Sequence, residues 1–138
     1  MVEGRQLAGR GLMCDTGGMT FQAPISVLRM FDVAMARAFY CDYLGFAVTF
    51  EHRFAPDLPL YMGLERGACR LHLSEHHGDA TPGSTVRIGV ENIDAMAAEL
   101  AAKAYKYLRP GIQDQPWGLR ELTLTDPFGN RIVLFAEP

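Results

Sequence analysis

The chain has no apolar run approaching the roughly 18 residues that a membrane-spanning helix needs, so a membrane partner is not expected. Neither basic nor acidic residues dominate. Its 13 Lys and Arg stand against 16 Asp and Glu, for a formal net charge of −3, and without a broad basic field nucleic acid is not an expected partner either. Cysteine is scarce. Cys14, Cys41 and Cys69 are odd in number and show no CxxC spacing. That argues against a disulfide framework or zinc knuckle and fits reduced thiols in the cytoplasm. No GxGxxG or GxxxxGK pattern is present to cradle a phosphate. What remains is ordinary globular material: 138 residues, 49% hydrophobic and 21% charged, enough for one domain with a real core.

Residues 1–22 are rich in glycine and show no period, so they are expected to form a poorly ordered tail without a secretory signal. From residue 23 onward the pattern predicts a single domain. A strand is expected from Ile25 to Met30, and Asp32 is placed to cap the helix that follows. Val33, Ala36, Tyr40, Tyr43 and Leu44 share a face of that helix, and Gly45 stops it. Strands are predicted at Phe46–Phe54, Leu60–Glu65 and Cys69–Ser74, completing a first module of about residues 24–75. Residues 76–84 form a linker. The same plan then starts again over residues 85–136.

In this second module Thr85–Val90 reads as a strand and Asn92 as a cap. Ile93, Met96, Ala97, Leu100, Ala101 and Ala104 form a helical stripe. Strands are expected to begin at Tyr105–Leu108 and to run over Leu119–Thr125 and Arg131–Phe135, the last two joined by the turn Asp126-Pro-Phe-Gly-Asn130. An offset of about sixty residues superposes the two halves in pattern rather than identity. The predicted fold is α+β: two βαβββ modules forming curled mixed sheets, with the helices on the outer face.

The run Asp32-Val-Ala-x-Ala-x-x-Phe-Tyr-x-x-x-Leu-Gly-Phe46 resembles the first helix of the vicinal oxygen chelate superfamily. That superfamily holds glyoxalase I, extradiol dioxygenases and fosfomycin- and bleomycin-resistance proteins. Pro116-Trp117-Gly118, Arg120-Glu121 and Asp126-Pro-Phe-Gly-Asn130 are most similar to its bleomycin-resistance branch. The resemblance implies paired βαβββ modules and a homodimer whose modules form clefts across chains. In enzymatic members four inward side chains, normally His, Glu or Gln, hold a divalent ion. The matching positions here are Ile25, His72, Thr85 and Val133. Only His72 ligates well, whereas a catalytic site needs about three protein ligands. The expectation is therefore no metal, no cofactor and no catalytic residue. Glu75-His76-His77-Gly-Asp79 looks rich in ligands, but loop neighbours rarely converge on one ion, and a solvated turn is expected there.

Five residues are candidates for contact with a small-molecule ligand. His72 is either a hydrogen-bonded strand histidine or a residue inside the cup where the resemblance places it. Arg29 alternates with Ile25 and Val27 and should face that cup. The resemblance sets it where glutathione-using relatives contact an acidic substrate, the alternative being a surface salt bridge. Arg70 and Arg87 share inward parity with weaker claims. Trp117, the single tryptophan, either caps the core or stacks a planar ligand at a cleft edge, where the resemblance puts it. Phe54 and Tyr61 are candidates for the opposing wall. The expected function is a metal-free binding protein that sequesters a partly planar molecule. The alternatives are a superfamily enzyme with an off-pattern metal, or one using His72 with Glu121 for acid–base work, and a metabolite sensor or structural module.

Overall fold

The computed structural model describes residues 18–103, 105–108 and 110–138. Most of the tail expected at residues 1–22 lies outside these, as do Cys14 and Ala104; residues 18–22 are exposed. In the first module β1 (Ser26–Arg29) leads into α1 (Val33–Ala36), which continues as a π-helical stretch, Arg37–Tyr43. Next come β2 (Ala47–His52), β3 (Tyr61–Arg66) and β4 (Cys69–Ser74). The second module repeats the order with β5 (Thr85–Gly89), α2 (Ile93–Lys103), β6 (Gln113–Asp114), β7 (Arg120–Thr125) and β8 (Arg131–Ala136).

Each module folds into a four-stranded mixed sheet, ordered β1-β4-β3-β2 in the first and β5-β8-β7-β6 in the second. The first strand lies parallel to the last in both, as a βαβββ path requires. Both helices start where a short polar side chain stands ready. Asp32 accepts from the Met35 amide at 2.9 Å and Asn92 from the Ala95 amide at 2.9 Å, so each satisfies a donor of its first turn. Gly45, at φ +79°, ends the first helix in the left-handed conformation that glycine adopts without steric cost.

Two expectations need correction. The first helix does not keep a 3.6-residue period. From Arg37 it widens, and the Leu44 amide bonds to the Phe39 carbonyl at 2.9 Å, five residues back. The wider turn points Phe39, Tyr40 and Tyr43 into the core together. The strand expected at Tyr105–Leu108 is instead a turn. Tyr105 stacks on Tyr43 with centroids 4.6 Å apart, so its ring serves the core, and Pro110 has no N–H for a ladder. The strand comes later and is only two residues long, at Gln113–Asp114.

Alternation along the strands separates two faces in each sheet. Met62 and Leu64 of β3 and Ile132 and Leu134 of β8 turn toward the helices, in one core shared by both modules. Tyr61, Gly63 and Glu65 of β3 turn the other way, as do Val133 and Phe135 of β8. On this open side Val133 is buried, while Val27 and Phe135 are half-buried. Among the described residues, no helix is long and apolar enough to cross a membrane.

Candidate functional site

The open face of the first sheet is built around a missing side chain. Gly63 of β3 pairs with His72 of β4 on one side and with Phe50 of β2 on the other. A Cβ at Gly63 would stand 2.2 Å from Phe50 Cε1, so only glycine lets that ring lie across the strand. Phe50 stacks on Tyr61 with centroids 6.1 Å apart and planes 18° from parallel. The His72 ring stands edge-on, 5.2 Å from both. A hydrogen bond of 2.8 Å joins the Tyr61 hydroxyl to His72 Nδ1. Burial, helped by Arg70, lowers the His72 pKa, and burial, helped by Asp79, raises that of Tyr61. Both groups are therefore uncharged at neutral pH.

Phe54 stands in the loop after β2, 76% exposed, with its ring against His52 at 4.8 Å and His76 at 6.1 Å. It thus belongs to a neighbouring group on the rim rather than to the Tyr61–His72 pair. Arg29, at the end of β1 and paired with Ser74, lays its guanidinium 4.6 Å from the centre of the Phe31 ring. Its Nε is buried and finds no hydrogen-bond partner among the described residues, a costly state for a donor.

Trp117 lies on the second sheet, in the turn between β6 and β7. Gly118, at φ +92°, supplies the left-handed residue of that turn, and its amide bonds to the Gln115 carbonyl at 3.0 Å. The indole is 62% exposed, so the ring caps no core. Its edge is nonetheless fixed: Nε1 donates to Glu121 Oε2 at 3.0 Å. Arg87 Nη2 donates to the same oxygen at 2.7 Å, and its guanidinium lies 4.8 Å from the centre of the Phe135 ring. Glu121 is 5% exposed. The Arg87 hydrogen bond, reinforced by the indole N–H, holds its carboxyl below the usual carboxylate range despite burial.

The five candidates therefore fall into separate groups: Tyr61 with His72, Phe54 with two histidines, Arg29 with Phe31, and Trp117 with Glu121. His72 and Glu121 share no hydrogen bond, each being engaged on its own sheet. Phe50 completes the first group, and sequence reasoning missed it.

The donor set does not fit the divalent ion that the fold family implies. Ile25 precedes β1, and Val27, not Ile25, pairs with His72. Thr85 and Val133 add one hydroxyl and no ligand. Among the described residues, no three His, Cys, Asp or Glu side chains converge to hold a metal. The Glu75–Asp79 loop spends its polar groups locally: Glu75 accepts from the Leu60 amide and Asp79 from the Ser74 hydroxyl. A cavity of about 680 Å³ lies elsewhere, between the β3–β4 turn and α2, and none of the five candidates lines it.

The family model of the glyoxalase superfamily matches residues 12–137. Among solved structures, a bleomycin-binding protein from bleomycin-producing Streptomyces verticillus, complexed with copper(II)-bleomycin, is similar at 28% identity. The similarity covers 88% of this chain and 100% of that one, with a TM-score of 0.67. A bleomycin resistance determinant encoded on the transposon Tn5 is similar at 23% identity over 86% and 98% of the two chains, with a TM-score of 0.64. A glyoxalase/bleomycin resistance protein/dioxygenase superfamily member from Sphaerobacter thermophilus matches at 21% identity over 84% and 98%, TM-score 0.62. No curated protein matches the chain in sequence.

Proposed function

Because the chain belongs to the glyoxalase superfamily, we propose that it is a binding member, sequestering a small, partly planar molecule without a metal ion in clefts shared by two copies of the chain. The observation that carries this reading is Trp117, whose edge is tied to Glu121 while the residue stays 62% exposed. A flat exposed ring with a fixed edge suits stacking, and stacking does no chemistry. Ile25, Phe50 and Phe54 are also exposed on or beside the open face of the first sheet, and a second copy placed across a two-fold axis would cover them. Such a protein acts by mass action, lowering the free concentration of its ligand. We place it in the cytoplasm from its free thiols. Acid–base catalysis by His72 with Glu121 has less support, since each is held by other partners.

Bleomycin, copper-loaded and copper-free, is the first probe, and calorimetric titration the measurement. Trp117→Ala is expected to weaken binding about tenfold, the loss of a stacking contact with its buried area. The melting temperature should barely move, because the ring is exposed. Unchanged affinity in this variant would remove Trp117 from the site. A monomer at micromolar concentration would overturn the shared clefts, and a tightly bound ion at His72 the metal-free reading.

A further inference from the structure

We infer that Glu121 is the positioning residue of the ligand site, clamping the Trp117 indole through its N–H while Arg87 clamps Glu121 in turn. This rests on the reading of Trp117 as a stacking surface but is tested separately from it. The geometry is that of a relay. Glu121 Oε2 receives both the indole N–H at 3.0 Å and the Arg87 guanidinium at 2.7 Å, so one oxygen fixes the ring at its edge and is itself fixed by the guanidinium. Arg87 is braced against the Phe135 ring. Glu121 pairs across its strands with Phe135 of β8 and Gln113 of β6, so Arg87 is the charged side chain bonded to it.

The arrangement has a physical purpose. An indole in a solvent-exposed turn would otherwise sample several rotamers, and a ligand would have to freeze it on binding, which weakens association. A carboxylate at the ring edge removes that cost in advance and leaves the faces free. A buried Glu whose role was merely structural would not need to meet the exposed ring.

Because the chain has a single tryptophan, its emission reports on this ring alone. In the full-length protein, Glu121→Ala is expected to lower the fluorescence anisotropy of Trp117 and increase its quenching by acrylamide. Glu121→Gln keeps an oxygen acceptor for the indole and should restore both. In the wild type the emission should change as acid protonates Glu121, below the ordinary carboxylate range, and Glu121→Gln should abolish that transition. With bleomycin as probe, Glu121→Ala should weaken binding about fivefold in the wild-type background and not further in Trp117→Phe. An equal loss in both backgrounds would make Glu121 a direct ligand contact and overturn the positioning role. So would anisotropy and quenching unchanged by Glu121→Ala. If the wild type binds no bleomycin while the emission results hold, the functional reading falls and the clamp stands.

Discussion

The turn that joins β3 to β4 has two residues between strands, and its counterpart joining β7 to β8 has five. Each turn sits against the helix and first strand of the opposite module, and the three extra residues decide how that junction is filled. The longer turn sends Asp126 inward, 4% exposed, where its two oxygens accept from the Tyr40 hydroxyl at 2.5 Å, the Asn130 side chain at 2.9 Å and the amides of Phe128 and Asn130. Asn130 also bonds the Arg29 carbonyl at 2.9 Å, and Phe128 meets Phe31 edge-on. Burial and the neighbouring carboxylate push the Tyr40 phenol well above its usual range, so it remains a donor throughout. The shorter turn has nothing to send. Arg66 instead reaches across to Glu99 in a two-pronged pair of 2.7 and 2.9 Å, and the space beneath stays open as the cavity. Two copies of one plan thus close by different physics, one by a buried hydrogen-bond plug and the other by a half-exposed ion pair.

The contrast can be broken at its stronger end first. Asp126→Ala removes the acceptor for the Tyr40 hydroxyl and leaves buried donors unpaired, so a loss of about 3 kcal/mol is expected in urea unfolding. Gly63→Ala tests the open face. The new methyl must displace the Phe50 ring, at about 1–2 kcal/mol, and the Phe50–Tyr61 stack should disappear from ring-current shifts. Arg66→Ala should cost about 1 kcal/mol or less, because both partners of the pair are more than a third exposed. A loss as large as that of Asp126→Ala would show that the two junctions are energetically alike after all.

The smallest effect concerns pH. His72 has a folded pKa below its ordinary 6.5, so the unfolded chain binds the proton more readily. Its contribution to stability is present in full above that value and declines as pH falls below it, until the folded pKa is passed. His72→Gln should flatten this part of the stability profile. A slope unchanged by the substitution would assign it to other groups.

Local signals were the legible ones. Asp32, Asn92 and Gly45 act within a turn of their own position, so the sequence around them suffices to place caps and stops. The five-residue turn at Asp126 was equally plain as a turn, but its role as a plug between modules depends on Tyr40, 86 residues away in sequence. Phe50 was hidden for a different reason. Phe46 and Val48 both face the core, and simple alternation puts Phe50 beside them. The register shifts between Val48 and Phe50, reversing the parity and turning the ring onto the His72 face. That Trp117 stands in a turn is legible from Pro116 and Gly118 beside it, whereas the hydrogen bond from its indole to Glu121 needs coordinates.

That same irregularity in β2 bears on how chains can meet. β2 is one of the two outer strands of its sheet, where a regular backbone would offer unpaired donors and acceptors to any passing strand. A kink in the middle interrupts that row, and the corresponding outer strand of the other sheet, β6, is too short to template anything. Growth by adding sheet to sheet, the route to open-ended fibres, is obstructed at both of these outer strands. Contact through the ringed faces carries a different limit, because a face covered by its own symmetric copy is used up after a single partner.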